Sequence, residues 1–213
     1  ETFHELAGYY IERKPETLSG IRGVAFRDEN KGRDIVHTGW RELMDLSKVP
    51  FAYSNLTEFK NRIIYYESSR GCPFSCSYCL SSIDKKLRFR DIELVKKELQ
   101  FFIDNKVPQV KFVDRTFNCK HDHAMEIWRY ITENDNGITN FHFEISADLL
   151  RAEELALMKT MRPGLIQLEI GVQSTNPQTI KAIRRTMDFE KLKGIVEQIH
   201  SFGNIHQHLD LIA

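Results

Sequence analysis

From Arg62 onward, apolar runs of strand length alternate with segments whose apolar residues recur at helical spacing. No other feature of the 213 residues restricts the fold as much. Strands are expected over 62–67, 107–113, 140–146, 165–172 and 205–213. Between them, Asp91 caps a helix with Ile92, Val95, Leu99 and Phe102 on one stripe. Asn118 is placed to cap the next, with Ala124, Ile127, Trp128 and Ile131 facing inward. A helix over 151–161 stops at Pro163-Gly164, and Asn176-Pro177 starts another. Asp188 opens the last, where Leu192, Ile195, Val196 and Ile199 face inward and Gly203 closes the helix. Strands joined through helices lie parallel, because a parallel return needs a long crossover. Right-handed crossovers then curl successive strands towards a barrel. The expected fold is α/β, a partial (βα) barrel of about five parallel strands.

Residues 1–60 do not share this pattern and are expected to form an N-terminal connector, with the barrel over 61–213. Residues 20–27 and 34–38 alternate around Asp28-Glu29-Asn30-Lys31-Gly32, a hairpin signal. Asp45 to Thr57, with Pro50, Ser54 and Asn55, reads as an extended linker. The opening residues Glu1 to Leu6 read as a helix already under way, and Leu209 to Ala213 as a strand with no turn after it. A fragment of a longer protein is therefore expected.

Lysine plus arginine equals aspartate plus glutamate at 30 each, so no global field draws in nucleic acid or an anionic membrane. No apolar run approaches the roughly 20 residues that span a bilayer, and no signal peptide is visible. Four cysteines, three of them crowded between positions 72 and 79, argue against a disulfide scaffold and for a reducing interior. The expected compartment is the cytoplasm.

Those three cysteines carry the chemistry. The stretch Arg70-Gly71-Cys72-Pro73-Phe74-Ser75-Cys76-Ser77-Tyr78-Cys79-Leu80 follows the first strand and spaces its thiols as C-x-x-x-C-x-x-C. Thiolates are soft ligands that suit iron–sulfur clusters and zinc. A cubane has four irons, so a three-cysteine loop leaves one iron open to a small molecule. With Tyr78 before the third cysteine, the loop resembles the C-x-x-x-C-x-aromatic-C motif of the radical S-adenosylmethionine (SAM) superfamily, and the wider stretch 67–79 is most similar to its cobalamin-associated branch. The resemblance implies a six-stranded partial barrel, here short of its last unit. It implies a [4Fe–4S] cluster on Cys72, Cys76 and Cys79, with SAM on the open iron. It also implies reductive cleavage of SAM to a 5′-deoxyadenosyl radical that abstracts hydrogen from a substrate, an oxidoreductase reaction. An electron donor such as flavodoxin or ferredoxin would feed the cluster, and cobalamin would belong to a domain outside this stretch.

Ligands of parallel α/β sheets sit at the carboxyl ends of the strands, and polar residues recur there. Matched to the family, Asp114 is the expected partner of the SAM ammonium, within a segment 113–116 that also holds Thr116. Glu144 and Gln173 match residues that hold the ribose hydroxyls. Arg185, ahead of Arg184, is the candidate for the SAM carboxylate. Asp210 begins a motif near the adenine, where Tyr78 is also expected. Each has a plainer reading: Glu144 could face solvent, the arginines could complement a helix C-terminus, Asp114 and Thr116 could be ordinary turn residues, and Gln173-Ser174 an ordinary helix entry.

Two rivals stand beside this reading. One is a non-catalytic zinc or iron–sulfur module, for which Cys119 is the remaining distant thiol. The other is a methylthiotransferase or porphyrinogen-oxidase relative that needs no cobalamin. Cys119, His121 and His123 lie within five residues but project on different sides of a helix start, which favours a solvated helix end over a metal site. His206 and His208 share one strand face and read as surface residues.

Overall fold

The computed structural model describes residues 1–15, 17–29, 32–60, 62–83 and 85–212. The chain divides into two compact units, Glu1–Met44 and Asp45–Ala213. In the first, helix α1 (Thr2–Glu12) ends at Arg13 in the left-handed conformation. Strands β1 (Ala25–Asp28) and β2 (Asp34–His37) pair antiparallel, as the alternation around 28–32 predicts. Asn30 and Lys31 of that turn lie outside the described residues. Arg41 donates to the Thr2 hydroxyl at 2.7 Å and pairs with Glu5.

The second unit holds β3 (Ile64–Tyr66), β4 (Ser69–Arg70), β5 (Arg88–Phe89), α2 (Ile92–Asp104), β6 (Gln109–Phe112), α3 (His121–Glu133), β7 (Asn140–Ile145), α4 (Ala152–Thr160), β8 (Ile166–Gln173), α5 (Pro177–Ala182), α6 (Phe189–Phe202) and β9 (His206–Leu211). The main sheet runs β3-β6-β7-β8-β9, every pair parallel. This is the expected five-stranded arc. The caps fall where the sequence puts them: Asp91 accepts from Glu93 and Leu94, Asn176 from Gln178 and Thr179, and Asp188 from Lys191. Gly203 closes α6 with φ +70°.

Alternation along the strands builds two different faces. One buries Val110, Phe112, Phe141, Phe143, Ile166, Leu168 and Ile170 against α2, α3, α4 and α6. Its centre is aromatic, with Phe143 packed 4.5 Å from Phe112 and 4.4 Å from Phe117, ring centre to ring centre. Trp128 of α3 lies against Phe117 and is fully buried. Such rings contribute more than their area alone. By register the other face carries Lys111, His142, Glu144, Glu169, His208 and Asp210.

Three local expectations change. Asn118 does not cap α3, which starts from Lys120. Instead its amide clamps Ser146 of the next strand end, donating to the carbonyl at 2.8 Å and accepting from the N–H at 2.9 Å. Residues 45–59 are not a free linker: Phe51, Tyr53, Leu56 and Phe59 pack on the core. Arg90 holds that segment through the Leu46 and Val49 carbonyls while paired with buried Glu98 at 2.5 Å. Finally, the start of α3 is solvated only in part, with Lys120 and Asp122 exposed. His123 is buried, with Nε2 3.1 Å from the Ser68 hydroxyl, and His121 sits 3.0 Å from Glu154.

β9 forms one edge of the sheet, with Leu209 and Leu211 exposed along it.

Candidate active site

The cysteine loop leaves the end of β3 and is tied down at several points. Ser77 N–H donates to the Ile183 carbonyl at 2.9 Å, joining the loop to the end of α5. Cys79 N–H closes a turn on the Cys76 carbonyl, and Ser82 caps the Cys79 carbonyl through both its N–H and its hydroxyl. Cys72 and Cys76 are buried, Cys79 is half-buried, and all three are free thiols.

These thiols line one cavity of about 290 Å³ at the carboxyl ends of the strands. Tyr78, Thr116, Glu144, Gln173, Arg185 and Asp210 line the same cavity. Residues from the loop, from the ends of β6, β7 and β8, from the helix region after β8 and from β9 thus meet in one place. Glu144 lines this cavity with its side chain 32% exposed. Arg184, the second-choice arginine, is exposed with φ +54° and takes no part.

Local geometry sets each group. The Thr116 hydroxyl lies 3.5 Å from Cys72 Sγ. Arg185 donates to the Gly171 carbonyl and, at 3.4 Å, to the Tyr78 hydroxyl, while its buried Nε has no partner among the described residues. Burial pushes the Tyr78 phenol above its ordinary range. Gln173 adopts φ +67° where β8 and β9 slip register. A Cβ on Gly171 would stand 2.5 Å from the Gln173 amide nitrogen, so glycine is what lets that side chain turn back along the strand. Burial raises the Glu144 pKa, and the neighbouring Glu169 carboxylate adds to the effect. Lys111, donating to Glu169 at 2.8 Å, holds Glu169 below the usual carboxylate range.

Asp114 is the exception among the predicted residues. It is fully buried and does not line the cavity. Its oxygens accept from Ser68 N–H (3.0 Å), the Ser68 hydroxyl (2.7 Å) and the Ser69 hydroxyl (2.5 Å). Asp114 therefore braces the strand that leads into the cysteine loop, and those contacts already use both oxygens expected to meet the SAM ammonium. Burial pushes its pKa up to about 6 despite these bonds, and burial pushes His123 down to about 4.

Sequence reasoning missed Arg115, Ser81, Glu169 and Gly171, which also line the cavity. For Glu169 the signal was present: it alternates with Gln167 and Gly171 on the side of β8 opposite the buried Leu168 and Ile170.

Do the residues suit a cluster and SAM? Three free thiols from one loop share the cavity wall. Among the described residues no three His, Cys, Asp or Glu side chains close up on a single-ion site. Thiolates are soft donors that suit an iron–sulfur cluster, and the fourth cysteine, Cys119, does not line the cavity. The unpartnered Arg185 Nε suits a carboxylate. The donor set fits.

Fold and site together define a parallel half barrel with a thiol-rich ligand cavity at its carboxyl mouth. Residues 66–212 match the family model described as the radical SAM superfamily. The chain belongs to that superfamily, whose members are enzymes. It is 23% identical over 209 residues to an uncharacterized methyltransferase of Pyrococcus horikoshii, covering 95% of this chain and 44% of the relative. It is 24% identical over 146 residues to bacteriochlorophyllide d C-12(1)-methyltransferase of Chlorobaculum tepidum, covering 66% and 31%. The radical SAM methyltransferase TsrM of Kitasatospora setae, solved with cobalamin and a [4Fe-4S] cluster, superposes with a TM-score of 0.73 at 18% identity, over 99% of this chain and 44% of that one. The chain thus spans less than half the length of these proteins. No helix among the described residues is long and apolar enough to cross a membrane.

Proposed function

We propose that this chain is the cluster- and SAM-binding half barrel of a methyltransferase of the cobalamin-associated radical SAM kind. The observation that carries the reading is the meeting of Cys72, Cys76 and Cys79 with polar groups from successive strand ends in one cavity. The names of the relatives and of the similar structure support methylation in place of the oxidoreductase class expected from the sequence.

When bound, the cluster and cobalamin supply one-electron chemistry and a methyl carrier that the side chains lack. The chain's own residues hold and orient. Cys72, Cys76 and Cys79 ligate the cluster, and Thr116, whose hydroxyl donates to the Arg115 carbonyl, packs beside the Cys72 sulfur. Arg185, with Nε free, receives the SAM carboxylate. Glu144 and Gln173 take the ribose hydroxyls, and Tyr78 and Asp210 flank the adenine. Asp114 positions the loop from behind. An electron donor of the flavodoxin or ferredoxin type reduces the cluster.

Anaerobic reconstitution of the full-length protein with iron and sulfide tests the cofactor assignment. Cluster absorbance and a SAM-dependent change in its spin-resonance signal are expected, and zinc retention without either would defeat it. SAM labelled in its methyl group tests the reaction class. Label is expected in the methylated product, whereas 5′-deoxyadenosine and methionine as the sole products would return the protein to the hydrogen-abstracting class.

A further inference from the structure

The inner positions of a closed α/β barrel are filled by branched apolar side chains packed on one another. Here the face turned away from the helices carries Lys111 opposite His142, and Glu169 opposite His208. These groups cannot fill the interior with apolar contact, and an occupant that removed their water would have to replace its hydrogen bonds.

Glu169 stands at the centre of that face. Lys111 Nζ donates to Oε2 at 2.8 Å, and His142 Nε2 lies 3.0 Å from the same oxygen. That histidine nitrogen is buried, and Glu169 Oε2 is the acceptor that stands beside it. Both neighbours therefore crowd Oε2, and Oε1 has no partner among the described residues. The carboxylate lines the cavity that holds the three thiols. Glu144, opposite Glu169 in register, and Asp210 of β9 add like charge around it. Lys111 is already engaged with Glu169, and Arg115 and Arg185 line the same cavity.

From this arrangement we infer that Glu169 Oε1 anchors a polar substrate through an N–H donor, such as an ammonium, a guanidinium or a ring N–H. The inference rests on the reading of this cavity as the reaction site. An apolar polycycle would strand Glu169, Lys111 and His142 without water. An anion would meet Glu169 and Glu144 together. A nitrogen donor completes the carboxylate and leaves the Lys111 contact intact.

Benzylamine, benzoate and toluene, matched in ring size, are suitable probes on the anaerobically reconstituted full-length protein. Benzylamine is expected to bind at least tenfold more tightly than the other two. Glu169→Gln is expected to weaken it at least tenfold, and Glu169→Asp to restore most of the affinity. In the unsubstituted protein labelled at histidine nitrogen, benzylamine alone should move the His142 ring resonance. That measurement needs no variant to fold. Equal binding of toluene or benzoate, an affinity indifferent to Glu169→Gln, or an unmoved His142 resonance would each overturn the anchor. The SAM-dependent spin-resonance change is read separately. If it is absent while the amine preference holds, the cofactor reading fails and the anchor stands.

Discussion

Asp114 and His123 share the Ser68 hydroxyl, at 2.7 and 3.1 Å, and are perturbed in opposite senses. Burial raises Asp114 from 3.8 to about 6, so between those values the folded chain holds a proton that the unfolded chain has released. Its destabilisation is complete above pH 6 and is relieved as pH falls towards 4. Burial lowers His123 from 6.5 to about 4, so the folded chain refuses a proton that the unfolded chain takes up. That contribution is favourable above pH 6.5 and is lost as pH falls to 4. At ~1.4 kcal/mol per pH unit each effect is on the order of 3 kcal/mol, and the two oppose one another over nearly the same range. Asp114→Asn is therefore expected to lose roughly 3 kcal/mol relative to the unsubstituted chain on acidification from pH 6.5 to 4. His123→Gln should gain about as much over that interval, and the double variant should run parallel to the original. Urea unfolding followed by tryptophan fluorescence reports this, since Trp128 is buried within the core. An Asp114→Asn profile parallel to that of the unsubstituted chain would refute the reasoning. A tenfold loss of SAM affinity in the same variant would return Asp114 to the ammonium site and remove its bracing role.

Single Cys72→Ala, Cys76→Ala and Cys79→Ala variants should each lose most reconstituted iron and the SAM-dependent spectral change, measured by iron assay and spin resonance. Phe143→Ala, at the centre of the aromatic stack, should destabilise by about 3–5 kcal/mol in denaturant unfolding. Glu98→Ala leaves Arg90 buried without its carboxylate and should cost about 3–5 kcal/mol, whereas Phe102→Leu beside it should cost less.

How far the sequence reveals this protein depends on how local the determinant is. Asp91, Asn176, Asp188 and Gly203 act within a few residues of themselves, and all perform as their positions predict. Strand alternation is equally local, so the five-stranded parallel order follows from the spacing of apolar runs. Asn118 looks like a cap by the same rules, yet its amide is spent on Ser146, 28 residues away. His123 reads as solvated until β4 and β5 fold over it, placing the Phe89 ring 5.0 Å from its own. Asp114 sits where the family motif would put a SAM contact, but Ser68 and Ser69, more than forty positions earlier, claim its oxygens. Alternation along β8 already puts Glu169 on the polar face, but its neighbours Glu144 and His208 follow only from the register between β7, β8 and β9.

The Asn118 amide ties the segment after β6 to the end of β7 through two reciprocal hydrogen bonds. Thr116 and Glu144, which reach the cavity from those two neighbouring segments, are therefore held in one fixed spacing. A shift of either segment carries the other with it.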